Sequence, residues 1–171
     1  PSTVRLRLFD PEKGELPLQL VPLDAETLRQ PQRSNCFTIV WVREGEGEFH
    51  PDLASHRFSG PTLLFANPYQ TIFLSPDSRL DGVLLRFHAN FLCIETHHEE
   101  VGCNGVLFND SYGEPQVRLG AAAVSEIETL LGQMESEFQS AGLAHSELLV
   151  SLMKILLIKA SRLKLEAMQA R

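Results

Sequence analysis

Up to about position 119, apolar residues fall in short runs that alternate with polar ones. From position 120 onward they recur every three or four residues. A period of two predicts strands, and a period near 3.6 predicts amphipathic helices. Val4–Phe9 and Leu16–Val21 alternate, and Asn35–Val42 is β-branched and aromatic. Gly45–His50, Leu53–Phe58, Thr62–Ala66, Gln70–Leu74 and Gly82–Phe87 follow as further strand candidates. Turn formers punctuate them at Ser59-Gly60-Pro61, Asn67-Pro68 and Ser75-Pro76-Asp77-Ser78. No intervening segment is long enough for a crossover helix. The pattern therefore predicts a closed barrel or a sandwich, not a parallel α/β sheet. Phe91–His98 reads as a short helix, and Gly102–Gly105 as a turn leading to a last short strand, Val106–Phe108.

All ten prolines lie at or before Pro115, so the remainder is free of proline. In the first predicted helix Val124, Ile127, Leu131, Met134 and Phe138 form one stripe. Glu126, Thr129, Gln133 and Glu137 line the other side, and Gly142 reads as the stop. The second helix runs from about His145 to Met168. Between Leu148 and Ile158 only Ser151 and Lys154 interrupt an otherwise apolar run. A helix apolar nearly all round needs cover on more than one side. A second copy of the chain is one way to provide it; burial within its own domain is the other.

Composition narrows the class. The chain has 171 residues, 43% hydrophobic and 22% charged, which suits one folded domain. Mean hydropathy is −0.07, and no apolar run approaches the length of a membrane span. No charged-then-apolar leader opens the sequence, and Pro1 suggests either a processed start or a boundary cut within a longer chain. The net charge of −7 argues against direct contact with duplex DNA, which favours basic surfaces. Lys154, Lys159, Arg162, Lys164 and Arg171 make the C-terminal end basic against a single acid, Glu166. The three cysteines, Cys36, Cys93 and Cys103, are odd in number and irregular in spacing. They read as reduced thiols of a cytoplasmic protein, not as a disulfide framework.

Taken in order, these segments resemble a known family. The stretches are Phe37-Thr38-Ile39-Val40-Trp41-Val42-Arg43-Glu44-Gly45-Glu46-Gly47, Phe58–Gln70, Leu84–Phe91, and Leu148–Ile158 followed by Arg162. Together they resemble the N-terminal sensor and dimerisation domain of AraC-type (AraC/XylS) transcription regulators. The resemblance implies a mainly β fold with α, a cupin-like jelly-roll barrel over residues 1–119. A two-helix antiparallel hairpin for dimerisation and the start of a linker would occupy residues 120–171. It implies a small-molecule effector bound in the barrel, a homodimer through the C-terminal helix, and control of an attached helix-turn-helix domain. Such a domain needs roughly 100 further residues. The chain is then either a piece of a longer regulator or a stand-alone sensor.

Within that frame the candidate effector-binding residues are Trp41, Phe49, Tyr69, Phe73 and His88, at what would be the barrel mouth. Each has an alternative as plain core. The candidate dimer face is Leu148, Ser151, Leu152, Ile155, Ile158 and Arg162, whose spacing of mostly three or four forms one stripe.

Cupins are often metalloenzymes whose ligands fall at set spacings. Counting back seven from Gly60 puts Leu53 where a ligating Glu belongs. The His-x-His positions fall on Gly47 and Phe49, or on Glu46 and Glu48. The last His position falls on Ile72 or Phe73. None of these supplies the imidazole or thiolate that zinc and similar metals take. No metal, no cofactor and no catalytic residue is expected. The rival reading is a cupin enzyme with a diverged metal site built from His50, His56 and Glu48. Cys93, His97, His98 and Cys103 form a second local cluster, without paired zinc-ligand spacing. The sequence has no nucleophile elbow and no phosphate-binding loop. Glu44, Glu46 and Glu48 alternate in a way that suits a solvated hairpin edge. A stand-alone interaction domain with no ligand is the third reading.

Overall fold

The structure is a computed structural model that describes residues 4–13, 17–24, 26–92, 103–108 and 113–170. Ten strands occur among them: β1 (Arg5–Arg7), β2 (Leu18–Leu23), β3 (Gln32–Ser34), β4 (Cys36–Glu44) and β5 (Glu46–Pro51) come first. They are followed by β6 (His56–Ser59), β7 (Thr62–Ala66), β8 (Ile72–Pro76), β9 (Asp81–His88) and β10 (Gln116–Arg118). The helices are α1 (Ala89–Leu92), α2 (Cys103–Phe108), α3 (Ala121–Gln139) and α4 (His145–Gln169).

Two five-stranded sheets form a cupin-like barrel, ordered β1-β3-β8-β5-β6 and β10-β7-β4-β9-β2. Strands β1 and β3 pair in parallel; the other described pairs are antiparallel. Strand β4 is the middle of the second sheet, with Trp41 opposite both Leu63 and Val83. At Gly82 the backbones of β4 and β9 approach so closely that an added Cβ would lie 1.8 Å from the carbonyl oxygen of Trp41.

The second sheet is buried on both faces. Side chains alternate across a strand, so each strand feeds two cores. Val40, Val42, Leu64, Ala66 and Leu84 point into the barrel, against Phe49, Phe58, Ile72 and Leu74 of the first sheet. Ile39, Trp41, Leu63, Phe65, Val83, Leu85 and Phe87 point the other way and pack under the helices. Strands buried on two faces read as continuous apolar runs, and all five residues of Thr62–Ala66 are buried.

Helix α3 packs through Ile127, Leu130, Leu131 and Met134. Helix α4 spans 25 residues, about 37 Å at 1.5 Å per residue. It buries Leu149, Leu152, Met153, Leu156, Leu157, Ala160, Ser161 and Lys164. Barrel and hairpin therefore share one continuous core.

Three sequence expectations need correction. Val106–Phe108 is helical, part of α2, because Leu107 and Phe108 bury into the helix-side core against α4. Three apolar residues carry no period that separates strand from helix. Residues 53–55 belong to a turn. Asp52 has φ 56 and its N–H donates to Thr71 O at 2.7 Å, so β6 starts at His56 and Leu53 is fully exposed. Gly142 is not the stop of α3, which ends at Gln139 with Ser140 N–H bonded back to Ser136 O; the left-handed position is Ala144, φ 58. Strands β3 and β10, of three residues each, were not expected. Residues 93–98 of the expected Phe91–His98 helix lie outside the described residues.

The α3–α4 turn is tied by Glu137, whose Oε2 lies 2.6 Å from His145 Nδ1 and accepts from Gly142 N–H at 3.2 Å. The His145 bond, then the Gly142 bond, hold the Glu137 carboxyl below the usual carboxylate range, with burial opposing. A depressed carboxyl adds stability above its unfolded value, about 4.3, and loses it as pH falls through the folded value. Glu137→Gln is therefore expected to lower the melting temperature at pH 7, with the difference from wild type shrinking below pH ~4. Thermal melts across that range check this.

Candidate functional site

Among the described residues, one cavity of ligand-sized volume lies between the barrel and the helices. It measures about 450 Å³, within the range of small-molecule sites. Its rim is two loops locked to each other. Asp52 Oδ1 accepts from Thr71 N–H at 2.9 Å, and Asp52 Oδ2 accepts from Gln70 Nε2 at 3.1 Å. Asn67 N–H donates to Gln70 Oε1 at 2.8 Å. Glu114 and Pro115 form the opposite rim, where Phe65 N–H donates to Pro115 O and Gln116 Nε2 to Glu114 Oε2. The floor is apolar and comes from Phe65 of β7 with Leu107 and Phe108 of α2. The Phe65 and Phe108 rings meet edge to face at 5.7 Å.

One cation sits in this wall. Lys164 of α4 is 3% exposed, and its Nζ donates to Val106 O at 2.9 Å and Leu107 O at 3.4 Å. The same nitrogen lies 5.8 Å from the Phe65 ring centroid, a cation–π distance. Asn67 Nδ2 donates to Phe108 O at 2.7 Å. The last carbonyls of a helix lack intrahelical donors. In α2, three of them are met by two side chains that also line the cavity.

The barrel interior is a packed core. At its end, Arg86, Thr38, Gln32 and Asn67 surround a space of about 10 Å³, the volume of a single water probe. Arg86 Nη2 donates there to Gln32 Oε1.

The five residues expected to line an effector pocket do not come together, and none of them lines the large cavity. Trp41 points to the helices and donates from Nε1 to Glu128 Oε1 at 2.7 Å. Phe49 fills the barrel core. Phe73 sits on the outer face of the first sheet, stacked on its cross-strand neighbour His50 at 4.2 Å. Tyr69 is an exposed loop residue with φ 68. His88 ends β9 beside the Phe9 ring at 4.9 Å, and its Nδ1 accepts from Asn90 N–H. Sequence reasoning missed Lys164, Asn67, Phe65 and Phe108. A signal for Lys164 existed: it lies seven residues after Leu157 and four after Ala160, on the buried face of α4.

Five of the six candidate dimer residues, Leu148, Ser151, Ile155, Ile158 and Arg162, are exposed along one side of α4. Leu165 extends the same row. Leu152 does not belong to it; at 6% exposure it is core of its own chain.

Among the described residues no three His, Cys, Asp or Glu side chains are grouped to hold a metal ion. His50 Nε2 meets Ser75 Oγ at 2.9 Å, and Ser55 Oγ donates to Glu48 Oε2 at 2.8 Å. His56 is on the cavity wall, apart from them. Cys93, His97 and His98 lie outside the described residues. Among those described, no helix is long and apolar enough to cross a membrane.

No protein-family model and no curated sequence matches the chain. Solved structures do. ToxT from Vibrio cholerae O395, bound to (E)-4-(8-methylnaphthalen-1-yl)but-3-enoic acid, aligns at TM-score 0.53 with 10% identity. An apo, substituted ToxT from Vibrio cholerae strain SCE256 aligns at TM-score 0.52 with 11% identity. In both, the match covers 86% of this chain and 57% of the ToxT chain. CuxR, an AraC-like transcriptional activator, aligns at TM-score 0.49 with 12% identity over 85% of this chain and 49% of its own. At such identity the likeness to ToxT is one of fold. The architecture expected of an AraC-type sensor domain, a cupin-like barrel with appended helices, is the one found.

Glu128 of α3 joins the hairpin to the barrel. Its Oε1 also accepts from Arg43 Nε at 2.7 Å, and Arg43 Nη1 reaches Asp81 Oδ2 at 2.9 Å. Burial pushes the Glu128 carboxyl up, but the bonds from Arg43 and Trp41 outweigh it and hold the group low. Glu128→Ala would leave the buried Trp41 N–H without its acceptor. The expected cost is about 1–3 kcal/mol by urea unfolding, with less for Glu128→Gln, which keeps an acceptor. The chain has a single tryptophan, so its fluorescence reports the change directly.

Proposed function

We propose that this chain is the effector-sensing and dimerisation part of an AraC-type transcription regulator, acting in the cytoplasm. Residues 1–119 supply most of the effector-binding walls. Residues 120–171 form the hairpin that pairs with a second copy. An attached helix-turn-helix domain makes the DNA contact, and the acidic part described above makes none. The ToxT-like fold over 86% of the chain supports this reading, as does the order of the sequence segments.

The observation that carries it is the double role of α4. Its inner face brings Lys164 to the cavity, and its outer face exposes Leu148, Ser151, Ile155, Ile158, Arg162 and Leu165. These six recur at alternating steps of three and four, the seam spacing of paired helices. A ligand that favours one placement of α4 thereby favours one arrangement of the pair, and its differential affinity sets the populations. The enzyme alternative has no comparable support, since His50 and His56 do not converge. Wild type is expected to sediment as a dimer, and Ile155→Asp and Ile158→Asp as folded monomers. Leu152→Asp is unsuitable because it would break the core. A dimer that survives both exposed substitutions overturns the interface.

A further inference from the structure

Glu48 and His50 alternate with the buried Phe49 on β5, and Phe73 and Ser75 alternate with the buried Leu74 on β8. All four side chains therefore stand on the solvent side of the first sheet. Register puts Glu48 opposite Ser75 and His50 opposite Phe73. Ser55, from the turn before β6, completes the group.

The hydrogen bonds of this group run in one direction. Ser55 Oγ lies 2.8 Å from Glu48 Oε2 and 3.4 Å from His50 Nδ1. A hydroxyl has one proton to give, and a bond to a carboxylate is the shorter and stronger choice. The Ser55 proton thus goes to Glu48, and His50 Nδ1–H is the donor to Ser55. In the neutral ring this leaves a bare lone pair at Nε2, 2.9 Å from Ser75 Oγ, which takes the Ser75 proton. Stacking on Phe73, with centroids 4.2 Å apart, fixes the ring plane. A serine hydroxyl aimed at the lone pair of an oriented imidazole is the arrangement that activates a nucleophile.

We propose that Ser75 is an acyl-acceptor site for activated esters, with His50 as its general base and with Ser55 and Glu48 as positioning residues that hold the ring's tautomer. Ser75 Oγ attacks the acyl carbon as its proton passes to Nε2. The imidazolium formed lies 3.9 Å from Glu48 Oε2, whose charge favours it. The tetrahedral adduct then collapses. The bond from the acyl carbon to the leaving oxygen breaks, that oxygen takes the proton back from Nε2, and an ester on Ser75 remains. A sheet face is open and flat, so the donor class is one whose leaving group departs readily: an aryl ester, not an amide. The inference is independent of the sensing reading, because chemistry belongs to a site and not to a fold.

The test treats the full chain with p-nitrophenyl acetate and, as the poor-leaving-group match, p-nitroacetanilide. Initial p-nitrophenolate release is followed, and acetylated residues are located by peptide mapping. The exposed Ser140, whose hydroxyl donates to a backbone carbonyl, is the internal reference. Ser75 is expected to acetylate about a hundredfold faster than Ser140, and the anilide to leave both untouched. Ser75→Ala is expected to remove the fast release, and His50→Gln to slow Ser75 to the rate of Ser140. Ser55→Ala is expected to slow Ser75 several-fold. Fluorescence of the buried Trp41 checks that each variant is folded. Nitrogen NMR of the wild-type ring is expected to show the proton on Nδ1, and in Ser55→Ala a mixture of tautomers. Acetylation of Ser75 no faster than Ser140, unchanged in His50→Gln, or directed to His50 instead overturns the inference. So does a wild-type ring with its proton on Nε2. The sensing reading stands in every one of these cases.

Discussion

A single sheet with two apolar faces organises this molecule. Strands β4, β7 and β9 carry large hydrophobic residues at consecutive positions, so neither face can meet water. One face is covered by the opposite sheet, which closes the barrel. The other has no such partner among the strands, and α2, α3 and α4 cover it. The helical part is thus not an appendage to the barrel but the second half of its solvent shield. A change in how the helices sit is felt by the sheet, and the reverse.

Burying that face forces a polar solution wherever a donor or acceptor is trapped beneath the helices. Trp41 brings an indole N–H to the boundary, and Glu128 of α3 answers it while also holding Arg43. The end of α2 brings carbonyls, and Lys164 and Asn67 answer them. An unmet buried polar group costs about as much as several methylene contacts contribute, so these few bonds set how the hairpin sits on the barrel. The cavity opens beside the second group, where α2 is a helix of only six residues.

Period and punctuation carried most of the fold. Thr62–Ala66 was legible to the residue, and β4, β5 and β9 to within one or two at either end. The helix stripe of α3 and the length of α4 were legible for the same reason, since the 3.6-residue repeat persists over many turns. The three-residue strands β3 and β10 were not, because only their partners make them strands. Val106–Phe108 misled because β-branched and aromatic neighbours look like strand until α4 packs against them. The site was less legible than the fold. Trp41 and Phe49 both looked like pocket residues, yet alternate faces of the barrel send one to the helices and the other to the barrel core.

By itself the sequence determined that short strands precede two long helices, and that α4 has more apolar surface than one side can bury. Those properties are periodic and local, and need no knowledge of neighbours. Only the tertiary structure decided which face of each strand looks inward, that the ligand-sized space lies between barrel and helices, and that Leu152 is core while Ile155 faces out. A strand with two buried faces has no polar side to mark its orientation, and a cavity is defined by residues as far apart in the chain as Asn67 and Lys164.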